Sequence, residues 1–349
     1  MRSSMVQKRT CALLAVALFI ALAASGAKLL GGPPPDSPPV PVSVAINKTA
    51  YTISGPCHHE NLAVYFLETA QLDDQDFITL DEGLKSGVVK VSEMDQASVS
   101  RLVIENESDK PLYIQEGDRL VGGKQDRIMQ WSLVVPPKSG KMPVPAFCVE
   151  QSRWHAGAGG KAFGAPANSA FAPNSVRLAG KYSNDQTKVW SNVADLKDAA
   201  AGNAAIAASK SNSSLTEALD STKAVQVSDA YVAALGPMLL KHPDAVGVVL
   251  AVNGKFVEAD IYPSHKLLTK LYPRLVAAYA IDATLAGKAD YHLRFPPDVA
   301  AFLTEGSEKS EHTAAIDSHN QATLRDLGDK QTSQTTYNGQ EVQLQWMAK

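Results

Sequence analysis

The sequence predicts an α+β fold, with a strand-rich N-terminal half built as a sandwich or curled sheet and a C-terminal half of helices and hairpins. Three observations carry this. Between residues 61 and 149, short runs of branched and aromatic residues alternate with polar turns. Beyond residue 225, apolar residues recur at helical spacing in two stretches. Two Asn-Gly pairs, Asn253-Gly254 and Asn338-Gly339, sit between strand-like runs and mark hairpins, because a type I′ turn needs positive φ at both central positions. The composition agrees: 349 residues with 45% hydrophobic and 20% charged content can bury a large core and fit neither whole-chain disorder nor a polytopic membrane protein.

Residues 1–27 read as an export signal. Arg2, Lys8 and Arg9 precede an uncharged run from Cys11 to Ala24 and the small residues Ala24-Ser25-Gly26-Ala27, with cleavage expected after Ala27. That run is shorter than the roughly 20 residues a membrane-spanning helix needs, which favours a cleaved signal; an uncleaved anchor is the alternative. Residues 28–45 are expected to be a proline-rich extended linker, since proline forbids helix and disfavours sheet ladders, with folding starting near Val42. The signal holds three basic residues and no acid, so the mature chain is more acidic than the formal charge of −3, which argues against nucleic-acid binding.

The β-rich part is expected over 46–154. Asn61–Leu67 is a buried strand. Thr79 and Glu82 form a capping box for a short helix that Gly87 stops before strand Val88–Val91. Arg101–Ile104, Leu112–Ile114, Ile128–Val135 and Met142–Val149 follow as strands separated by turn residues. Residues 155–224 are expected to be a flexible Ala/Gly/Ser-rich insert: a long exposed loop through residue 182, then a helix marked by Val189, Val193 and Leu196 with a weakly packed extension. Residues 225–290 are the α/β remainder. Ser228 is expected to cap a helix kinked at Pro237, and Ser264 a second helix kinked at Pro273. That second helix buries Leu267, Leu268, Leu271, Leu275, Val276 and Tyr279 and turns Lys266, Lys270 and Arg274 to water. Residues 291–349 form an extension ending in the second hairpin.

Two clusters could carry chemistry. The first, Glu116 to Arg127, sets Gly122 and Gly123 beside Lys124, Gln125, Asp126 and Arg127. Glycines let backbone amides approach an anion, and the two cations could neutralise it. A Walker loop needs lysine directly after its last glycine and then Ser or Thr, and Lys124 is followed by Gln125, so that signature fails. The bland alternative is a charged turn. The second cluster, Cys148 to His155, ends a strand on which period-two geometry places Cys148 and Glu150 on one face. Its alternative is an ion pair of Glu150 with Arg153 or Arg127 beneath Trp154. Cys148 reads as a buried strand cysteine and Cys57 as a loop thiol, or, in an oxidising space, the two as a bridge contributing up to roughly 4 to 5 kcal/mol. Cys57-His58-His59-Glu60 cannot converge on one ion from an extended chain, and the other histidines are scattered, so no metal is expected.

These blocks resemble a bacterial family whose activity is unassigned, named for association with ADP-ribosylglycohydrolases and rhodanese-phosphatase-superfamily proteins. The residues that carry the resemblance are Thr79–Leu84, Glu116-Gly117 with Leu120, Gly122–Arg127, Cys148–Gln151 with Arg153-Trp154, and Val246–Val249 with Asn253-Gly254. They span about residues 60 to 285, with the tail beyond 290 read as lying outside. The resemblance implies an α+β domain and, by association, a link to NAD or ADP-ribose metabolism.

The leading reading is an exported ligand-binding or accessory module for an anionic, ADP-ribose-like or sugar-phosphate-like ligand. Gly122, Gly123, Lys124, Gln125, Arg127, Glu150, Arg153 and Trp154 would line its site. A hydrolase with Glu150 or Asp126 as general base and a cell-envelope structural protein without a small-molecule site are the alternatives. The reading calls for no cofactor, no metal and no nucleic acid, and for membrane attachment only through an uncleaved N-terminal segment.

Overall fold

The computed structural model describes residues 41–349 apart from 74, 96, 97, 99, 152–159, 204, 207–213 and 290. The signal and most of the linker therefore lie outside the described residues. Among the described residues the strands are β1 (Val42–Ile46), β2 (Thr49–His59), β3 (Leu62–Glu68), β4 (Ile78–Thr79), β5 (Val89–Glu93), β6 (Arg101–Asn106), β7 (Leu112–Ile114), β8 (Arg119–Gly122), β9 (Arg127–Met129), β10 (Leu133–Val135), β11 (Lys141–Cys148), β12 (Ala162–Gly164), β13 (Ala245–Val252), β14 (Lys255–Ile261), β15 (Ser310–Ala315), β16 (Asn320–Asp326), β17 (Lys330–Tyr337) and β18 (Gln340–Ala348). The helices are α1 (Leu80–Ser86), α2 (Asn174–Lys181), α3 (Gln186–Gly202), α4 (Leu215–Leu219), α5 (Thr222–Leu235), α6 (His265–Ala286) and α7 (Pro296–Thr304).

The fold is mixed and strand-rich, and its strands divide between two large structures. One is a sheet in the order β1-β2-β3-β13-β14-β18-β17-β16-β15; the other is a closed barrel, β11-β6-β5-β12-β8-β9. A small sheet, β10-β7-β4, stands beside the barrel. The large sheet mixes both ends of the chain: Val248 pairs with Phe66 across β13 and β3, and Glu258 with Met347 across β14 and β18. The N-terminal and C-terminal halves are thus interleaved, and the stretch 291–349 supplies four strands of this sheet instead of an appendage.

Strand β3 shows why its run is continuously apolar. Leu62, Val64 and Phe66 pack with α5 and α6 on one face, while Ala63, Tyr65 and Leu67 pack with Val299 and Leu303 of α7 on the other. Val91, Leu102, Ile104, Leu120, Val144 and Phe163 belong to the core of the barrel. Helices α2, α3 and α4 close over Ile128, Phe147 and Val149 on its side.

Local signals hold at several places. The Thr79 capping box forms, with the Glu82 amide donating to Thr79 Oγ1 at 3.3 Å and the Thr79 amide to Glu82 Oε2 at 2.9 Å. Gly87 ends the helix at φ 75°. Asn253-Gly254 and Asn338-Gly339 adopt positive φ and join paired strands. Ser264 caps α6, accepting from the Leu267 amide.

Other expectations are corrected. Strand β1 takes over the last residues assigned to the linker. Ser221, not Ser228, caps α5, while Ser228 lies inside it and donates to the Ala277 carbonyl at 3.1 Å. Pro237 does not kink α5: the helix ends at Leu235 and the proline opens a 3-10 turn at Gly236–Lys241, where its missing N–H is harmless. Arg274 does not face water, because its guanidinium lies 4.1 Å over the Phe171 ring and 2.5 Å from Asp118. The expected strand Ile128–Val135 is broken between β9 and β10, where Ser132 turns in to accept from the Glu116 amide at 3.1 Å. The expected exposed loop at 155–182 contains β12, a barrel strand anchored by Phe163, and α2, whose Arg177 and Lys181 are 2% exposed each. Cys57 and Cys148 are both free thiols; Cys57 lies within β2 and Cys148 ends β11.

Candidate functional site

The two sequence clusters meet because β11 pairs with β9, bringing Cys148 opposite Arg127. From that register the Gly122–Asp126 turn and the end of β11 are cross-linked directly. Gln125 Nε2 donates to the Glu150 carbonyl at 2.6 Å, the Asp126 amide to Glu150 Oε2 at 3.2 Å, and the Val149 amide to the Asp126 carbonyl at 3.0 Å. Arg153 and Trp154 lie outside the described residues.

The turn's backbone donors do bind carboxylates, as a glycine-rich bend should, but the carboxylates belong to the chain. The Gly122 amide donates to Asp126 Oδ1 at 2.9 Å and the Lys124 amide to Glu93 Oε1 at 2.9 Å, while the Gly123 amide reaches the Ala162 carbonyl at 3.0 Å. Glycine is required at position 123, with φ 54°, because a Cβ there would sit 2.2 Å from Cζ of Phe163. The close neighbour is β12, so the Gly-Gly pair lets the barrel close as well as letting the chain turn.

Burial separates the site residues into two groups. Arg127 is fully buried, donating to the Gln125 carbonyl at 2.9 Å and lying 3.6 Å from Glu93. Gln125 and Asp126 are buried too. Lys124 and Glu150 are only partly buried and form the outer edge of the junction. Cys148 is sealed: burial pushes its thiol above the usual range, and Sγ donates to the Glu150 carbonyl at 3.1 Å. A protonated thiol in that position is a poor nucleophile.

A second charged centre was not legible as a unit. Arg177 of α2 reaches Glu258 of β14 at 2.5 and 2.7 Å and also contacts Glu116 in the turn after β7. Lys181, one helical turn on, donates to Ser333 and to Gln345 at 2.8 Å each and lies 3.7 Å from Glu116. Gln345 in turn donates to Glu258 at 2.8 Å and Asp260 at 3.1 Å, and Gln343 donates to Asp260 at 2.7 Å. Burial by itself would raise the Glu116 carboxyl, but Lys181 and Arg177 overcome it and bring it to about 2. Burial, with Glu258 and Glu116 nearby, pushes Asp260 well above the carboxylate range, so it is held protonated. Burial also lowers the Lys181 amine, against the pull of Glu116. Gly117 belongs to it, because a Cβ at its φ of 81° would lie 2.7 Å from Cδ of Arg177. Only the Glu116-Gly117 pair signalled this centre in sequence; its cations sat in a stretch that reads as loop.

Among the described residues there is no group of three metal-ligating side chains, and no helix is long and apolar enough to cross a membrane.

Comparison with known families gives one match. The model of the ARG and Rhodanese-Phosphatase-superfamily-associated Protein domain covers residues 50–347, and the chain belongs to that family. The match takes in the tail beyond residue 290, which the sequence motifs alone left outside. The reason is physical: β18 pairs with β14 and supplies Gln343 and Gln345 to the buried cluster. No curated protein and no solved structure matches.

Proposed function

We propose that this family member is an exported binding or accessory module that recognises an anionic ligand of the ADP-ribose or sugar-phosphate kind at the outer edge of the Gly122–Glu150 junction. The observation that supports this reading is the cross-link itself. Gln125 and the Asp126 amide hold Glu150 in place, so two segments distant in sequence present Lys124 and Glu150 together at a partly exposed edge. Lys124 supplies charge to an anionic group and Glu150 accepts from ligand hydroxyls. Arg127 and Gln125 position the edge from beneath. The remaining members of the proposed site are Arg153 and Trp154.

Binding fits the site better than catalysis by a general base. Asp126 is tied to the Gly122 amide and buried, and Glu150 already accepts from the Asp126 amide, so both candidate bases act as ligands of the turn. The N-terminal segment supports export, and mass spectrometry of the mature N-terminus checks that directly, with a start after Ala27 expected.

Thermal denaturation with ADP-ribose, NAD and a set of sugar phosphates tests the binding reading. A ligand at a hundred times its Kd stabilises by about 2.7 kcal/mol, which raises Tm measurably. The expected result is a rise with at least one member that disappears in Lys124→Ala. No rise across the panel refutes the proposal.

A further inference from the structure

A different part of the molecule carries a second site. Between α2, the β13-β14 hairpin and α6 lies a cavity of about 330 Å³ whose walls include Leu178, Val257 and Ala286. This is within the size range of small-ligand pockets. Its polar lining sets two acceptors, the Asp282 carboxylate and the Asn174 side-chain oxygen, beside the hydroxyls of Ser175 and Tyr279. Asp282 forms no ion pair among the described residues; the Asn174 amide donates to its Oδ2 at a long 3.4 Å. Asn174 is oriented by donation from Nδ2 to the Val257 carbonyl at 3.3 Å, which leaves Oδ1 buried with no hydrogen-bond partner. The Tyr279 hydroxyl, buried beside Glu258, makes no hydrogen bond of standard geometry. Lys349 also lines the cavity, but its amine is committed to Asp326 at 2.7 Å.

An amide oxygen buried without a partner is costly unless something donates to it, and beside it the half-buried Asp282 carboxylate has one long hydrogen bond and no cation among the described residues. Arg177, the nearest cation to act on Asp282, is not part of the cavity wall and is spent on Glu258 and Glu116. Burial raises Asp282 to about 6, with Arg177 and the Asn174 amide opposing and Glu258 reinforcing, so at neutral pH it is mostly ionised.

We infer that this cavity binds a small hydrophobic molecule carrying one protonated amine, the ammonium donating to Asp282 and Asn174 Oδ1 while the apolar body lies along Leu178 and Val257. The site is separate from the Lys124–Glu150 edge and takes the opposite charge.

Isothermal titration calorimetry of the full chain at neutral pH with hexylamine, hexan-1-ol and hexanoate tests this inference. Hexylamine should bind about tenfold more tightly than hexan-1-ol, and hexanoate should not bind. Asp282→Asn keeps an acceptor for the Asn174 amide and should cut hexylamine affinity about tenfold while leaving hexan-1-ol unchanged. Leu178→Trp, on the half-buried side of α2, should abolish binding of both, with circular dichroism confirming the fold. Equal affinity for amine and alcohol, undiminished amine binding in either variant, or no amine binding at all overturns the inference.

Discussion

Two charged regions of this molecule are built from the same residue types and lie on neighbouring turns of the chain, yet water reaches only one of them. Around Glu116, Arg177 and Glu258 every charged group is sealed and answered by another from a different element: a turn of the small sheet's strand, a helix, and two strands of the large sheet. Around Gly122 and Glu150 the inner groups are sealed in the same manner, but Lys124 and Glu150 remain partly exposed. The first arrangement ties the turn after β7 and helix α2 to the large sheet. The second keeps part of its charge at the surface. Charge density by itself therefore does not mark a binding site; the fraction of that charge still facing solvent does.

The sharpest way to break this comparison is to remove the cation at the centre of the sealed cluster. Arg177→Met leaves Glu116 and Glu258 without their main partner, and uncompensated buried charge costs about 3–5 kcal/mol. Urea denaturation should show that loss. A cost below about 1 kcal/mol would mean that water enters the cluster and that the two regions do not differ.

Acid tests the same cluster more gently. Glu116 is held at about 2, below its ordinary value of 4.5, so its contribution is complete above the unfolded value and is lost as pH falls towards 2. The displacement corresponds to about 3 kcal/mol. Asp260 works in the opposite sense: raised in the folded state, it keeps its proton while the unfolded chain gives its own up, so it favours folding as pH falls. Stability measured by urea denaturation at a series of pH values should decline on acidification in wild type, decline more steeply in Asp260→Asn, and lose most of its slope in Glu116→Gln.

The turn itself gives a smaller effect. In Gly123→Ala the added methyl meets the Phe163 ring at a positive φ, and overpacking of this kind costs about 1–3 kcal/mol. Denaturant midpoints should fall accordingly, without the acid dependence of the sealed cluster changing.

How much of this was legible depended on whether a signal was local. The Thr79 capping box, the two Asn-Gly turns and the apolar run of β3 are set by residues a few positions apart, and each was readable. The pairing of Gly122–Arg127 with Cys148–Glu150 followed from two short blocks, although the chain's own carboxylates filling the turn did not. Arg177 and Lys181 were not readable, because nothing in an Ala/Gly/Asn-rich stretch announces a cation that will be buried against β14 and β18 from the far end of the chain. Strand β12 was missed for a related reason: three residues with one aromatic carry no periodicity, and its strand character comes entirely from its partners β5 and β8.

The smallest effect on stability should accompany the largest effect on binding, and the two cations of one turn allow the test. Arg127 and Lys124 are three residues apart, but Arg127 is fully buried against Glu93 and the Gln125 carbonyl, whereas Lys124 is partly exposed. Replacing each by Met removes the same charge. Arg127→Met leaves Glu93 without its ion-pair partner and should lower stability by about 3 kcal/mol or more. Lys124→Met should change it by less than about 0.5 kcal/mol, as surface substitutions do. If the outer edge is the recognition surface, ADP-ribose or a sugar phosphate should raise the Tm of Arg127→Met wherever it raises that of wild type, and should leave Lys124→Met unmoved. A ligand response that follows Arg127 instead would mean that the turn opens to bind, and the division between sealed and exposed charge would have to be redrawn inside the junction.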